Sequence, residues 1–264
     1  MTDPASLLAA YDAQVRTAVS VRPPQGTTVD WDGPVLRASG GHRGFVGYRD
    51  LAGLRGAELD ALIERTCRYF DDRGESFEWK THAHDEPADL PERLLAAGFV
   101  AEDVENLFVG IATELAAEPD LPAEISIVEL TEAADLRRVG VLESEVWGAD
   151  WSWLADDLIA RKVADPAALL VFAARVGPDL VSAAWLVRNP GTDFAGLWGG
   201  STLAAWRGRG IYRALIGRRA QVAVERGTRY LQVDASPDST PILRRLGFVQ
   251  ITTTTPYVHP PPAR

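Results

Sequence analysis

The sequence predicts a mixed α/β fold in which a mainly antiparallel sheet is flanked by helices, present as two related halves. Short apolar runs separated by turn residues follow one another closely between residues 168 and 203, as in an antiparallel meander. A long helical pattern then leads to another strand pattern, which predicts a helical crossover in the same sheet. Part of this order recurs in the first half of the chain, which indicates an internal duplication.

The elements of the second half follow in chain order. An apolar run predicts a strand at 124–130, and the Thr-Glu-Ala-Ala-Asp opening at Thr131 offers a hydroxyl N-cap and early acids for the next helix. The further helices are predicted at 153–163, 209–225 and 240–246. The further strands are predicted at 168–176, 180–188, 194–203, 230–235 and 249–258. Gly227 is expected to end the long helix.

The duplication is visible as two sequence matches. Leu54–Lys80 aligns without a gap on Arg207–Val233, and Gly98-Phe99-Val100 matches Gly247-Phe248-Val249. The alternative is that two unrelated α/β segments share helix-end glycines. The proline-bearing stretch 116–122 is the predicted linker, with one domain at residues 1–117 and another at 123–264.

Composition excludes several classes of protein. No apolar run in the 264 residues reaches the roughly 18 to 20 needed to cross a bilayer, and the acidic N-terminus shows no secretory signal. We therefore expect a cytoplasmic protein that is not integral to a membrane. The single cysteine, Cys67, excludes an internal disulfide, and the four histidines lack zinc-signature spacing, so no metal site is predicted.

Basic charge is concentrated in a short part of an acidic chain. The net charge is −10, yet residues 201–229 hold seven arginines and one acid, Glu225. A protein that binds duplex nucleic acid usually presents a broad basic face. A confined cluster fits a small phosphorylated ligand better, so nucleic acid is not an expected partner.

The arginine cluster contains a glycine-rich motif, Arg207-Gly208-Arg209-Gly210-Ile211-Tyr212, between a predicted strand and a predicted helix. A helix N-terminus offers free N–H groups and a positive dipole end, and glycines let an anion approach the backbone. Arg207, Arg209 and Arg213 would add charge-assisted contacts to a diphosphate. The Gly-Lys-Ser/Thr ending of a P-loop is missing, and the preceding meander does not suit a Rossmann unit.

At this point the sequence resembles the Gcn5-related N-acetyltransferases, whose cofactor motif is Gln/Arg-x-x-Gly-x-Gly/Ala. Arg207 and Gly210 match that motif, whereas Tyr212 departs from it. Leu246-Gly247-Phe248 also resembles the Leu-Gly-Phe of the family. The second half is similar to the whole family fold, and the chain resembles a tandem member with a degenerate first half.

The resemblance implies direct acetyl transfer from acetyl-CoA to an amine in a ternary complex. The pantetheine arm of acetyl-CoA would lie on backbone around Ser201, Thr202 and Leu203. The implied contacts with the rest of the cofactor are Arg207, Gly208, Arg209, Gly210, Ile211, Tyr212 and Arg213. The repeat places Ala57, Glu58 and Asp60 at the corresponding helix start of the first half. Acids there repel a diphosphate, so only the second half is expected to bind acetyl-CoA.

The resemblance also implies a carboxylate that takes a proton from the amine. The strand at 194–203 contains no acid, which leaves Asp234 or, at the end of the preceding helix, Glu143 or Glu145. Trp147, Trp151 and Trp153 lie where the family has its acceptor wall. Packing of these indoles against the first half is an equal alternative.

A hydroxyl usually protonates the leaving thiolate in this family. At the corresponding positions this sequence has Leu243 and Ser236 instead of the usual Tyr and Asn, so Ser236, Ser239 or water must substitute. The expected acceptor is a small-molecule or peptide amine, and the chain is expected to be a monomer or a homodimer. The alternatives are a CoA-binding pseudoenzyme or interaction domain, and a nucleotide-binding protein that uses the same loop.

Overall fold

The computed structural model describes residues 3–118 and 120–262, and both halves contain helices as well as strands. The first half comprises α1 (Pro4–Gln14), β1 (Thr28–Asp32), β2 (Val35–Ser39), β3 (Gly44–Tyr48), α2 (Gly56–Asp71), β4 (Phe77–His82), α3 (Leu90–Ala96), β5 (Val100–Ala101), β6 (Glu105–Ile111) and α4 (Ala112–Leu115). The second half comprises β7 (Ile125–Leu130), α5 (Ala133–Trp147), α6 (Ser152–Ala164), β8 (Leu169–Val176), β9 (Asp179–Arg188), β10 (Phe194–Thr202), α7 (Ile211–Glu225), β11 (Tyr230–Ala235), α8 (Thr240–Leu246) and β12 (Val249–His259).

The predicted elements of the second half are all present, with two corrections at helix starts. Helix α5 begins after Glu132, and the Thr131 hydroxyl donates to the Glu132 carboxylate instead of capping the helix. Helix α7 begins at Ile211, because Gly210 has a left-handed φ of 81° that no helix residue adopts. Helix α1 was not predicted, although Asp3 caps it and Pro4 opens it.

A single sheet runs through both halves in the order β1-β2-β3-β4-β12-β6-β11-β10-β9-β8-β7. The last strand of each half pairs with a strand of the other half. Strand β12 pairs with β4 of the first half, and β6 pairs with β11 of the second half. The predicted domains at 1–117 and 123–264 therefore exchange their last strands across the middle of one sheet.

The strand pairing shows the predicted duplication in three dimensions. Val100 pairs with Val258, and Val249, the counterpart of Val100 in the sequence match, pairs with Val109. The parallel pair β3–β4 likewise corresponds to the parallel pair β10–β11. The two halves are thus related copies, and the antiparallel pair β6–β12 lies where the two copies meet.

Helices cover both faces of the second half of the sheet. Alternate residues of β8 point to opposite sides, so that Phe172 packs with α7 and Val171 packs with α5 and α6. The first half has its own core under α2 and α3, and its largest members are Trp79, Tyr48, Phe70 and Phe77. No helix among the described residues is both long and apolar enough to cross a membrane.

A buried polar cluster fixes the N-terminal segment to the first half. Arg16, just beyond α1, forms an ion pair of 2.6 Å with Asp85, and both side chains are buried. Asp85 also accepts hydrogen bonds from the Tyr48 hydroxyl and from the His82 backbone N–H. The imidazole of His82 lies in the same cluster, with Nε2 3.5 Å from the Tyr11 hydroxyl. The Asp85 carboxylate is therefore satisfied by one cation and two donors, whereas Arg16 Nε and Nη2 and His82 Nδ1 have no hydrogen-bond partner among the described residues.

We expect His82 to lower the free energy of unfolding in mild acid. Burial, with the Arg16 charge next in importance, lowers the pKa of His82 to about 3. An unfolded histidine titrates near 6.5, so below that pH the unfolded state binds a proton that the folded state refuses. The free energy of unfolding should fall by about 1.4 kcal/mol per pH unit below about 6.5 relative to a His82→Gln variant. Chemical denaturation of both proteins at pH 7 and pH 5 measures this, and equal pH dependence would contradict it.

Candidate cofactor and acceptor site

The arginine loop, Arg207–Arg213, leaves the N-terminus of α7 without a side-chain cap. Gly208 and Gly210 adopt φ values of 74° and 81°, and Gly210 is the N-cap residue with no side chain to offer. Within the part of the chain that the structure describes, no side chain caps the N–H groups at the start of α7. Such a helix end, opened by glycines, binds anionic oxygens.

Three exposed guanidinium groups lie around this helix start. Arg207 donates from Nε to the carbonyl of Thr202 at 3.0 Å. Arg209 lies over the ring of Trp206, and its nearest carboxylate, on Glu124, is 4.0 Å away. Arg213 reaches back towards Gly210. With three cations and free N–H groups, the loop fits a diphosphate.

Beside the loop, β10 and β11 separate into a fork, which we define as the opening beyond Gly196 and Gln232. The parallel pairing ends at these two residues, although both strands continue towards their carboxyl ends. A bulge at Gly199 and Gly200 bends β10, where the φ values are 66° and 97° and the register with β9 shifts. Open carboxyl ends of parallel strands are common ligand positions in α/β proteins.

Of the three predicted pantetheine contacts, Thr202 presents its backbone on the open side of β10. The Leu203 N–H donates to the Val181 carbonyl, and the Ser201 carbonyl accepts from the Ser182 hydroxyl. Both groups are therefore hydrogen-bonded to β9. The Thr202 carbonyl points away from β9 and accepts from Arg207. A ligand in the fork would therefore compete with Arg207 for the Thr202 carbonyl.

The Tyr212 side chain lies on the bulge of β10, next to the fork. Its ring packs on Gly200, where an added Cβ would lie 2.7 Å from the ring. Burial raises the pKa of Tyr212, while the Arg219 charge and a hydrogen bond with Ser239 act in the opposite direction. The phenol thus extends from the first turn of α7 towards the start of α8. The loop fits an anion, and the Tyr212 ring covers the neighbouring bulge of β10 at Gly200.

Arg219 supports the same bulge from inside the protein. Its side chain is 1% exposed, and it donates to the carbonyls of Leu215, Trp185 and Trp198 at 3.1 to 3.2 Å. No carboxylate among the described residues lies within ion-pair distance. Burial accordingly lowers the pKa of Arg219 to about 10. Sequence patterns could not indicate this role, because all three acceptors are backbone carbonyls and two of them belong to strands β9 and β10, far from Arg219 in the chain.

Of the predicted proton acceptors, Glu143 is the one that contacts β10. Its Oε2 accepts from the Ser201 hydroxyl at 2.7 Å and from the Trp147 indole at 2.9 Å. The indole also lies 3.1 Å from the Ser201 hydroxyl. Glu145 instead is exposed and lines a surface cavity of about 400 Å³ with Arg138. Helical spacing explains the difference, since Glu143 shares the buried face of α5.

Asp234 belongs to a polar layer at the middle of the sheet. It accepts from the Thr254 hydroxyl at 2.9 Å and pairs with Lys80 at 3.5 Å, while Lys80 also pairs with Glu105 at 3.1 Å. The four residues come from four neighbouring strands of both halves. Asp234 is therefore held by partners, and a proton-accepting role for it stays a prediction.

Ser236 lies in the turn before α8. Its hydroxyl is 3.3 Å from that of Ser239, and its carbonyl accepts from the hydroxyls of Ser239 and Thr240. Leu243, which stands where a tyrosine would be expected, is completely buried. Ser236 is exposed, and its predicted role in thiolate protonation stays a prediction.

The three tryptophans form a row that ends on the first half. Trp147, Trp151 and Trp153 follow one another with ring centroids 6.3 and 5.3 Å apart. Trp153 stacks on His42 of the β2–β3 turn at 3.8 Å. The far end of the row therefore packs between the halves, whereas Trp147, 60% exposed, lies beside Ser201. The packing alternative therefore describes the Trp153 end of this row, and an acceptor wall at Trp147 stays a prediction.

The start of α2 is the counterpart of the arginine loop, and charged side chains of the first half surround it. Glu58 lies in the first turn, and Arg93 of α3 pairs with Asp60 at 2.7 Å and donates to the Gly56 carbonyl. Acids at a helix N-terminus disfavour a bound anion. That the second half alone holds the cofactor stays a prediction.

Similarity to known proteins is detectable in the fold and not in the sequence. No protein-family model and no curated protein sequence matches this chain. Among solved structures, a Gcn5-related N-acetyltransferase from Kribbella flavida is similar over 99% of this chain and 97% of its own, with a TM-score of 0.69 and 15% identity. A tandem protein of this type from the clavulanic acid biosynthesis pathway is similar over 99% and 94%, with a TM-score of 0.64 and 15% identity. A third, from Sphaerobacter thermophilus, covers 90% and 77%, with a TM-score of 0.59 and 18% identity. The chain therefore has the Gcn5-related N-acetyltransferase fold in its tandem form, which confirms the fold predicted from the arginine loop and the duplication.

Proposed function

We propose that this protein is an N-acetyltransferase that transfers the acetyl group of acetyl-CoA directly to an amine. The observation that carries the proposal is the uncapped N-terminus of α7, surrounded by Arg207, Arg209 and Arg213 and placed beside the fork. The corresponding helix start of the first half is acidic. The second half is therefore the proposed binding domain.

In this proposal, acetyl-CoA supplies an activated thioester when it is bound. The N–H groups behind Gly208 and Gly210 and the three arginines hold the diphosphate charge. The Thr202 backbone on the open side of β10 positions the pantetheine arm, after Arg207 has released the Thr202 carbonyl. The bulge at Gly199 and Gly200 directs β10 away from β11, so that the thioester has room in the fork.

Tyr212 limits the affinity for acetyl-CoA in this proposal. In this proposal the half-buried Tyr212 ring must move away from Gly200, so only part of the population is competent to bind. Tyr212→Ala should bind acetyl-CoA about tenfold more tightly, equivalent to about 1.4 kcal/mol, as measured by calorimetry. Tyr212→Phe keeps the ring and should bind like the unaltered protein. Weaker binding by Tyr212→Ala would mean that the ring contacts the cofactor.

The proposed acceptor is a small-molecule or peptide amine, and neither nucleic acid nor a membrane takes part. The polar layer beside the fork contains Glu105 and Asp234 around Lys80, with Glu78 also close to Lys80. The carboxylates outnumber the cation, which favours a positively charged acceptor. The chain would act in the cytoplasm as a monomer or a homodimer.

A second candidate function is acetyl-CoA binding without efficient transfer. Leu243 carries no hydroxyl at the position from which a thiolate is usually protonated, and it is completely buried. The nearby hydroxyls of Ser236 and Ser239 contact each other and the start of α8. This candidate therefore shares the binding site but lacks the proton donor.

Calorimetry with acetyl-CoA, with ATP as the control, tests both candidates, followed by an assay of thiol release with a panel of amines. Ligand at 100 times its dissociation constant should also add about 2.7 kcal/mol to the free energy of unfolding. Binding with amine-dependent thiol release supports the transferase. Binding without release from any amine supports the second candidate, and no binding of acetyl-CoA overturns both.

A further inference from the structure

Glu143 is a buried carboxylate with one free oxygen. The residue is 2% exposed, and its Oε2 accepts both hydrogen bonds, from Ser201 and from Trp147. Its Oε1 is buried and has no hydrogen-bond partner among the described residues. An unpaired buried oxygen is costly for stability, and such groups often serve a function.

No positive charge among the described residues neutralises Glu143. None of the described Lys, Arg or His residues lies within ion-pair distance of its carboxylate. Burial raises the pKa of Glu143, and only the hydrogen bonds from Ser201 and Trp147 oppose that effect. A carboxylate in such surroundings accepts a proton more readily than one on the surface. Asp234, in contrast, is held by Lys80 and Thr254.

The position of Ser201 connects Glu143 to the proposed reaction. Ser201 directly follows the bulge of β10 and precedes Thr202, whose carbonyl faces the arginine loop. Its side chain points to the α5 side of the sheet, where its hydroxyl donates to Glu143. Trp147, on the last turn of α5, continues this cluster to the surface. A hydroxyl that follows the bulge of β10 is thus hydrogen-bonded directly to a buried carboxylate.

We propose that Ser201 relays the proton of the acceptor amine to Glu143, an inference that rests on the proposed acetyltransferase function. The lone pair of the neutral amine forms the C–N bond as the C–S bond breaks, and the sulfur leaves as a thiolate. The amine proton passes to Ser201 Oγ while the Ser201 hydroxyl proton passes to Glu143. Glu143 ends as a carboxylic acid, so one negative charge moves from its carboxylate to the thiolate.

The first test is Glu143→Gln, with Glu132→Gln as the matched control. Glu132 directly precedes the same helix and is exposed. Glu132→Gln therefore makes the same chemical change at a position outside the proposed relay. Glu143→Gln should lower kcat about 100-fold with an unchanged KM for acetyl-CoA, and the acidic limb of the kcat pH profile should disappear. Glu132→Gln should keep the kcat and the pH profile of the unaltered protein.

Two further variants separate proton transfer from a structural role. Ser201→Ala removes the relay and should lower kcat, again with unchanged KM for acetyl-CoA. Trp147→Phe removes one donor to the carboxylate, so the acidic limb should move to higher pH. Each protein is first checked for cooperative thermal unfolding, and acetyl-CoA affinity is measured by calorimetry independently of turnover.

The outcomes distinguish the two levels of the proposal. Thiol release by the unaltered protein together with full kcat in Glu143→Gln would overturn the relay and leave the transferase standing. Loss of kcat in Glu145→Gln or Asp234→Asn, with an intact acidic limb in Glu143→Gln, would assign the proton to another carboxylate. Failure of the unaltered protein to release thiol would overturn the transferase, and the relay with it.

Discussion

Gly210→Asp is expected to abolish acetyl-CoA binding, with a loss of affinity of at least about 100-fold, or about 2.7 kcal/mol. An added Cβ at Gly210 would meet only the Asp120 carbonyl at 3.5 Å and the Arg213 guanidinium at 3.8 Å, so the side chain has room. The new carboxylate would cap α7 and pair with Arg213. It would thereby occupy the anion site that the diphosphate needs.

Gly210→Asn is the matched control for this prediction. Asn and Asp have the same shape, and both tolerate a left-handed φ better than other residues with side chains, so the strain at φ 81° is shared. Only the charge differs between the two variants. Calorimetry should give the Asn variant a clearly higher affinity than the Asp variant, and equal affinities would remove the electrostatic role of the loop.

Arg219→Ala is expected to lower the free energy of unfolding by about 3 to 5 kcal/mol. The substitution leaves a cavity under the sheet and removes the donor that bridges the Trp185 and Trp198 carbonyls. Hydrogen bonds from a charged donor contribute about 1.5 to 3 kcal/mol each, and part of that gain is offset by burial of the charge. Urea denaturation measures the loss.

Arg218→Ala is the control for Arg219. Arg218 is the preceding residue on α7, half-buried, and its hydrogen bond is a 3.4 Å contact with Gln221. Its loss should change the free energy of unfolding by no more than about 0.5 to 1 kcal/mol. If Arg219→Ala were no more destabilising than Arg218→Ala, the bulge of β10 would not depend on the buried guanidinium.

Local patterns were sufficient for the elements of the second half and for the arginine loop. Strand β11 and helix α8 have the predicted bounds, because apolar alternation, turn residues and the helix-ending Gly247 are all encoded within a few residues. Helix α1 was missed although Asp3 and Pro4 are capping signals. Glu143 also carried a signal, since it lies seven residues after buried Leu136 and four after buried Val139.

By itself, the sequence determined the mixed α/β class, the duplication and the uncapped, arginine-rich start of α7, because these depend on residue type and short-range spacing. Only the tertiary structure decided the exchange of β6 and β12 between the halves, since strand pairing across such distances leaves no local pattern. It likewise brought Glu143 to Ser201 and packed Tyr212 on Gly200. These contacts join residues far apart in the chain, and packing of the whole sheet and its helices sets them.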